Sequence, residues 1–422
     1  MESAQRSVPS AAWPNANLLL LLQGQFVSQV GSQLFAVASF FWIKHATGSA
    51  SLVGLLMMAL ALPAVVLGPI AGTVVDRHSR RAILIGCDLL DAGAMLALAA
   101  LASAAPQART AILGAILATT VFISGVAAFF RPAISAIVPD VVPRGRVAAA
   151  NSLLQAAVQL SMFVGQGLGG VLFRVLGAPV LFLANGASYA VSAASESFLR
   201  VPATLRRRQG WRAAILALRA DTAAGLAYVW RQRGLRVLLA SSAGLNLFFG
   251  AVVALLPFYV EDFLGAKSDW YGYLMAAFGV GNLLGSLAAG AAKPRPALRA
   301  SALLVSMLLF AAAQAALGLF DRPQAALALV ASGGLLQGFI QINLLTLLQT
   351  TTPSELRGRV FGLWATLGGS LTPVGMAVAG VVADLTGQDI PRIYLACGGL
   401  QVLLTALAAR SPHFRRFLAT PF

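Results

Sequence analysis

The chain has 422 residues, of which 58% are hydrophobic and only 10% charged, and it carries a formal net charge of +16. Soluble domains carry about 25% charged residues, so the composition excludes a water-soluble fold and makes lipid the solvent. A basic excess of this size suggests nucleic acid in a soluble protein, but here the bases fall in loops between apolar runs, and nucleic acid is excluded as a partner.

In chain order, runs of about 20 mostly apolar residues, enough to cross a ~30 Å hydrocarbon core, lie at 16–43, 50–75, 82–104, 110–138, 147–173 and 177–199. Six more lie at 237–262, 270–292, 299–319, 324–349, 359–383 and 391–409. The fold class expected is therefore all-α: a polytopic membrane protein with twelve transmembrane helices. It divides into a six-helix bundle over 1–199, a linker over 200–236 and a second six-helix bundle over 237–422. The first run, opening on "NLLLLL", continues to Ile43 without a small-residue cleavage pattern, so it reads as a retained span rather than a signal peptide.

Helix 1 carries Gln25, Gln29 and Gln33 at a spacing of four, beside Ser28 and Ser32. Lipid cannot satisfy such a polar stripe, so it is expected to face a substrate cavity or another helix. Between helices 2 and 3 the stretch "GPIAGTVVDRHSRRAILIG" (68–86) packs Asp76, Arg77, His78, Arg80 and Arg81 into six positions. Asp88 and Asp91 follow on one face of helix 3. Ionisable groups inside a span are functional-site candidates by default. Asp88 and Arg131 of helix 4 lie at similar depth, so the expectation is an intramembrane ion pair, Asp88–Arg131, serving as a brace or in proton coupling. Gln155, Gln159 and Gln166 lie on helix 5, Asn246 on helix 7, and Gln337, Gln341 and Asn343 on helix 10; Gln25, Gln29, Gln33, Gln159, Gln166, Asn246, Gln337 and Gln341 are the candidate substrate contacts. Phe248, Phe249 and Trp270 are candidate aromatic walls. Glu196, Glu261 and Asp262 end their helices and read as interface residues in reach of water.

The basic residues sort by side. Arg6, then Arg77, Arg80 and Arg81, then Arg131, Arg144 and Arg146, the arginines of 200–236, Lys293, Arg295 and Arg299, Arg357 and Arg359, and Arg410, Arg415 and Arg416 fall on one side. Lys44, Arg109, Arg174, Lys267, Arg322 and Arg392 fall on the other. The positive-inside rule then puts both termini in the cytoplasm. The linker mixes its arginines with Trp211, Ile215, Leu218, Leu226 and Trp230, and reads as a helix lying on the inner membrane surface, touching anionic lipid heads. Cys87 and Cys397 sit in apolar runs as small buried hydrophobes. His45, His78 and His413 lie in loops or tails, so no metal cluster or nucleophilic dyad is expected. No cofactor and no catalytic residue is expected, and the absence of a Walker sequence leaves an ion gradient as the driver.

The tetrapeptide Arg-Gly-Arg-Val occurs at 144–147 and again at 357–360, each time opening a glycine-rich helix that is the fifth of its half. Parallel repeats of this kind build secondary transporters. The loop at 68–86 resembles the signature between helices 2 and 3 of the major facilitator superfamily, with Gly72, Asp76, Arg77, Arg80 and Arg81 on matching positions and Ser79 where glycine is usual. "PDVVPRGRVAAAN" (139–151) and "PSELRGRVFG" (353–362) resemble segments of the branch that includes bacterial macrolide-efflux and enterobactin-export carriers. "GQGLGG" (165–170) is similar to the helix 5 motif of antiporters, with Gln166 in place of the usual proline. Gly31-Ser32 stands where relatives often have Gly-Asp.

The resemblance implies a secondary carrier of the bacterial inner membrane, a monomer exporting a small amphipathic molecule against protons by alternating access. It implies gating at the cytoplasmic face by Gly72, Asp76, Arg77, Arg80 and Arg81, with Asp76 meeting the start of helix 11 near Glu355, Arg357 and Arg359. Two other readings stay open: a lipid or lysolipid flippase of the same fold, and a membrane receptor that moves no solute. An intramembrane enzyme would need a convergent catalytic set, and the sequence offers none.

Overall fold

The computed structural model describes residues 14–75, 77–201, 223–291 and 296–420. It is built from long helices: α1 Ala16–Thr47, α2 Ala50–Val75, α3 Arg80–Ala104 and α4 Arg109–Val141. One run, Val147–Ser197, is broken at Gly177 into α5 (147–176) and α6 (178–197). There follow α7 Arg233–Ala254, α8 Asp269–Ala291, α9 Pro296–Leu317, α10 Pro323–Thr351, α11 Ser354–Leu385 and α12 Ile390–Arg410, and a short terminal helix, Pro412–Leu418. Among the described residues ten runs are long and apolar enough to cross a membrane, the α5–α6 run being one of them; the apolar part of α11 is the shorter Ser370–Leu385. This is an all-α polytopic membrane fold, as the composition requires.

Local chemistry explains the boundaries. Gly177 has φ +76°, a conformation that costs glycine nothing. With Pro179 behind it, the chain turns from α5 into α6 across one residue. Ser79 caps α3 by accepting from the Ala82 amide, and Asp389 caps α12 by accepting from Arg392. The expected seventh span, 237–262, stops early: regular winding ends at Ala254, Pro257 follows, and Tyr259–Phe263 winds one residue wider, with the Leu264 amide reaching Tyr259 O at 2.9 Å. Of the linker, 202–222, with Trp211, Ile215 and Leu218, lies outside the described residues. Residues 223–231 are helical, with Leu226 and Trp230 exposed and Arg236 stacked over the Trp230 ring.

The described chain forms two compact units. One gathers the residues up to Ala36, Pro63–Gly165, and the stretch from Leu176 through α6. Its apolar core includes Leu18, Leu21, Leu84, Ile137 and Leu199. The other gathers Val37–Leu62, Gln166–Val175 and the described residues from 223 on. Its core joins Leu238, Met307, Leu347 and Val360 to Phe414 and Leu418 of the terminal helix.

In the second unit, α8 and α10 meet backbone to backbone. Gly281 and Gly285 lie on the Ala331 and Leu335 main chain, and Gly334 and Gly338 lie on Phe278 and Asn282. The contact is reciprocal, a small residue every fourth position on both helices, and it replaces the hydrophobic drive that lipid cannot supply. A methyl at Gly285 meets backbone that cannot yield, whereas Gly290 on the same helix faces open space. Gly285→Ala should therefore destabilise the purified protein by about 1–3 kcal/mol, read as a lower thermal midpoint in detergent, and Gly290→Ala should not.

Candidate functional site

Three polar constellations stand out, each inside one unit. The first ties the ends of α3, α4 and α6 together. Arg80 pairs with Asp140 and donates to the Ala136 carbonyl; Arg81 donates to the Ser197 carbonyl. Two of the expected gating bases are thus engaged as braces within their own unit. Asp76, the acid of that loop, lies outside the described residues. Gly72 is half-buried with open space over its Cα, and Arg77 is exposed. Across the repeat, Arg357 is exposed and Arg359 half-buried, its Cβ against Gly225; the Glu355 side chain lies outside what is described.

The second constellation is a nest of carboxylic acids between α3 and α6. Asp88 is 1% exposed, Asp91 5% and Glu196 1%. Asp88 lies beside both others. Among the described residues none of the three forms an ion pair, and Asp88 Oδ2, Asp91 Oδ1 and both Glu196 oxygens lack hydrogen-bond partners. The expected Asp88–Arg131 pair is not formed: Arg131 is exposed on α4, while the Asp88–Asp91 face of α3 turns toward α6. Glu196, expected at an interface in reach of water, is instead 1% exposed, on the face of α6 that meets Asp88. Asp88 thus has a like charge on either side of it, and ionised carboxylates set side by side without a base repel one another.

The third constellation closes one end of the second unit. Lys44, 7% exposed at the end of α1, reaches Glu261 at 2.6 Å and Asp262 at 2.8 Å from the wide turn after α7. His45 approaches Glu261 at 3.0 Å, and the Lys44 ammonium lies 5.2 Å from the Phe258 ring centroid. Asp384, in the last turn of α11, accepts from the Ala50 and Ser51 amides and the Ser49 hydroxyl at 2.7–2.9 Å. It thereby caps the start of α2 from another helix. Gly380 and Gly54 let those two helices touch main chain to main chain. Arg174 of α5 pairs with Asp269 of α8 at 2.7 Å, and Ser268 donates to the Gly170 carbonyl. Phe41 stacks on Phe173 and meets Tyr271 edge-on.

Burial works to raise the Glu261 carboxyl, but hydrogen bonds from His45 and Lys44 outweigh it and hold the group below its ordinary value. The contribution of this carboxylate is therefore complete at neutral pH and fades only as pH falls through a value below the ordinary ~4.3. Sequence reasoning counted Lys44 only as a loop base and passed over Asp384. The missing signal was the one lysine placed inside the last turn of an apolar helix.

The remaining candidates scatter. Gln25 is buried with its amide nitrogen unpartnered; Gln29 and Gln33 are half-buried, and Gln159 is exposed. In the second unit Gln166 and Gln337 are half-buried, Gln341 is exposed, and Asn246 donates to the Ser242 carbonyl. Phe249 stacks on Phe278 and meets Phe310 at a tilt, packed against the core, Trp270 meets Tyr273, and Phe248 lines an apolar groove of about 590 Å³ between α7, α11 and α12. Cys87 and Cys397 are buried and unpaired. Among the described residues no group of three or more His, Cys, Asp or Glu is arranged to hold a metal.

The comparisons with known proteins agree with this architecture. The family model "Major Facilitator Superfamily" matches residues 21–376. The chain is 29% identical over 406 residues to "Multidrug efflux pump Tap" of Mycolicibacterium fortuitum, covering 94% of this chain and 96% of that one. It is 24% identical over 398 residues to "Macrolide efflux protein A" of Streptococcus pyogenes, covering 93% and 95%. Among solved structures, a point mutant of the nucleoside transporter NupG superposes with a TM-score of 0.73 at 13% identity, covering 94% and 99%. With helices throughout, charge held to helix ends and buried polar nests, and a family model spanning most of its length, the chain belongs to the Major Facilitator Superfamily: it is a multi-pass membrane transporter and not an enzyme.

Proposed function

We propose that the protein exports a small amphipathic molecule from the bacterial cytoplasm by alternating access, using the inward proton gradient, and that it works as a monomer with both termini in the cytoplasm. The observation that carries the reading is the Lys44–Glu261–Asp262 cluster with the Asp384 cap. These contacts join α1, α2, α7 and α11 at the end that the positive-inside rule assigns to the outside. An export route must open there, and what holds it shut is a handful of hydrogen-bonded charges that can separate and reform.

Each part of the cycle then has residues. The proposed substrate contacts are the glutamines of α1 and α10, Gln25, Gln29, Gln33, Gln337 and Gln341, with Gln159, Gln166 and Asn246. The proposed inner gate is the 72–81 loop with the start of α11. The proposed outer latch is Lys44 with its two acids. Full-length relatives described as drug and macrolide efflux proteins support an amphipathic cargo. The groove beside α12 is lined almost wholly by apolar side chains, with the Asp389–Arg392 pair also among its lining; it keeps a flippase as the second reading.

Two measurements test this. Cells producing the protein should accumulate less of a labelled macrolide than control cells, and a protonophore should abolish the difference; equal accumulation with and without the protein removes the export reading. For the latch, Lys44→Met strips one partner from a largely buried pair, a loss worth about 3–5 kcal/mol. In a chain whose native cysteines are replaced by alanine, a cysteine substituted for Ser268, which is buried, should react slowly with an impermeant maleimide added outside. Lys44→Met should speed that reaction. Adding Glu261→Gln should restore part of the protection, because the more buried of the two stranded carboxylates is gone. Unchanged labelling in Lys44→Met would sink the latch.

A further inference from the structure

Three acids buried without a base are costly, and a brace does not need them. Asn or Gln would pack as well without the charge. Asp88 nonetheless lies beside both Asp91 and Glu196, and four oxygens of the three acids are unpartnered. A second observation comes from side chains outside the acid set. Ser192, fully buried, turns its hydroxyl to the Asp88 carboxyl and has no other hydrogen-bond partner. It is held there because α6 runs against α1 at Gly24, whose missing side chain leaves room for Ser192 Oγ.

The register of α3 against α6 orders the groups. Gly186 packs on Met95, and Ser192 faces Asp88. Glu196 therefore lies a turn nearer the helix end, where Arg81 grips the Ser197 carbonyl. One turn further in from Asp88 stands Asp91, beside Tyr189. The Tyr189 hydroxyl shares a hydrogen bond of 3.0 Å with Ser32 of α1, and Ser32 donates to the Ser28 carbonyl. The titratable groups facing the nest are thus Cys87 on α3 and Tyr189 on α6, while Arg81 holds the Ser197 carbonyl next to Glu196. Arg80 is already taken by Asp140, and Arg131 of α4 faces away.

We propose that Asp88, Asp91 and Glu196 form one proton-binding unit, loaded and emptied past Glu196 at the Arg81–Ser197 end and linked to the polar face of α1 through Tyr189 and Ser32. The unit holds its protons in common. Taking up one cancels one buried negative charge, and releasing it restores that charge beside Ser192 and Tyr189. The bond between Tyr189 and Ser32 then reports the change to α1, where Gln25, Gln29 and Gln33 lie. The site lies among α1, α3 and α6 of the first unit and needs no acid on α1 itself, which has Ser32 where relatives often carry Asp. This inference rests on the proposed proton coupling for its role, but not for its chemistry.

The test separates the two. Infrared difference spectra of the full-length protein in liposomes, titrated with pH, should show a protonated-carboxyl C=O band from a dry environment. Asp88→Asn, Asp91→Asn and Glu196→Gln should each remove part of the band, and the triple variant should remove it. A band that none of the three changes overturns the proton-binding unit, whatever drives transport. In the same liposomes, uptake of a radiolabelled macrolide driven by a pH gradient is compared with its counterflow at equal pH. For Asp88→Asn and Glu196→Gln the ratio of gradient-driven uptake to counterflow should collapse, and Asp88→Glu should restore part of it. An unchanged ratio overturns the coupling role. Wild-type uptake that ignores the pH gradient overturns the coupling reading of the previous section, while the infrared band still decides whether these acids exchange protons.

Discussion

Hydrocarbon solvates neither peptide groups nor charge, so every polar group carried into it must find its partner within the chain. Most of the architecture follows. The backbone satisfies itself by winding into helices, and buried side chains reach main-chain carbonyls or one another. The Tyr259 hydroxyl bonds Leu317 O at 3.0 Å, Tyr394 bonds Val252 O at 2.8 Å, and Gln401 bonds Gln314 at 2.8 Å. Against this background the exceptions carry information. Lys44 is buried but over-provided with acids, whereas Asp88, Asp91 and Glu196 are buried with none of the bases that would settle them.

The same constraint divides the contacts of the second unit into two kinds. The α8–α10 seam and the α7–α11 approach, where Gly250 lies on Thr372 and Gly375 on Leu247, are main chain against main chain. They involve no charge that could be traded for water, and they have nothing to switch. The contacts of Lys44, His45 and Asp384 are side chains on acids at helix ends, where water is one turn away. Separating them exchanges one set of hydrogen bonds for another of similar worth. In the proposed cycle the first kind sets what stays rigid and the second what opens.

The fold was largely legible in the sequence because its causes are local. Apolar runs of span length, Gly177 followed by Pro179, and the twice-used Arg-Gly-Arg-Val act within a few residues of themselves. The two copies of that motif each stand at the start of a long helix, Arg144–Arg146 as a tight turn before α5 and Arg357 and Arg359 inside the first turns of α11. The candidate sites were legible only in their members. Asp88 and Asp91 share a face by spacing, but no spacing says whether that face meets Arg131 of α4 or Glu196 of α6. That depends on a helix orientation set by Gly24, Gly31 and Gly186 at distant contacts. Lys44 and Glu261 are likewise 217 positions apart, and their meeting has no trace in either neighbourhood.

The wide turn at Tyr259–Phe263 has a consequence for the aim of the two acids it carries. Each residue of regular winding rotates the next side chain by about 100°. One extra residue within the turn therefore decides whether Glu261 and Asp262 point at Lys44 or past it. If the segment rewound as an ordinary α-helix, both carboxylates would swing off the ammonium together with α7 otherwise intact. The orientation of the acids is thus stored in the pitch of the backbone, just beyond Pro257, rather than in the side chains themselves.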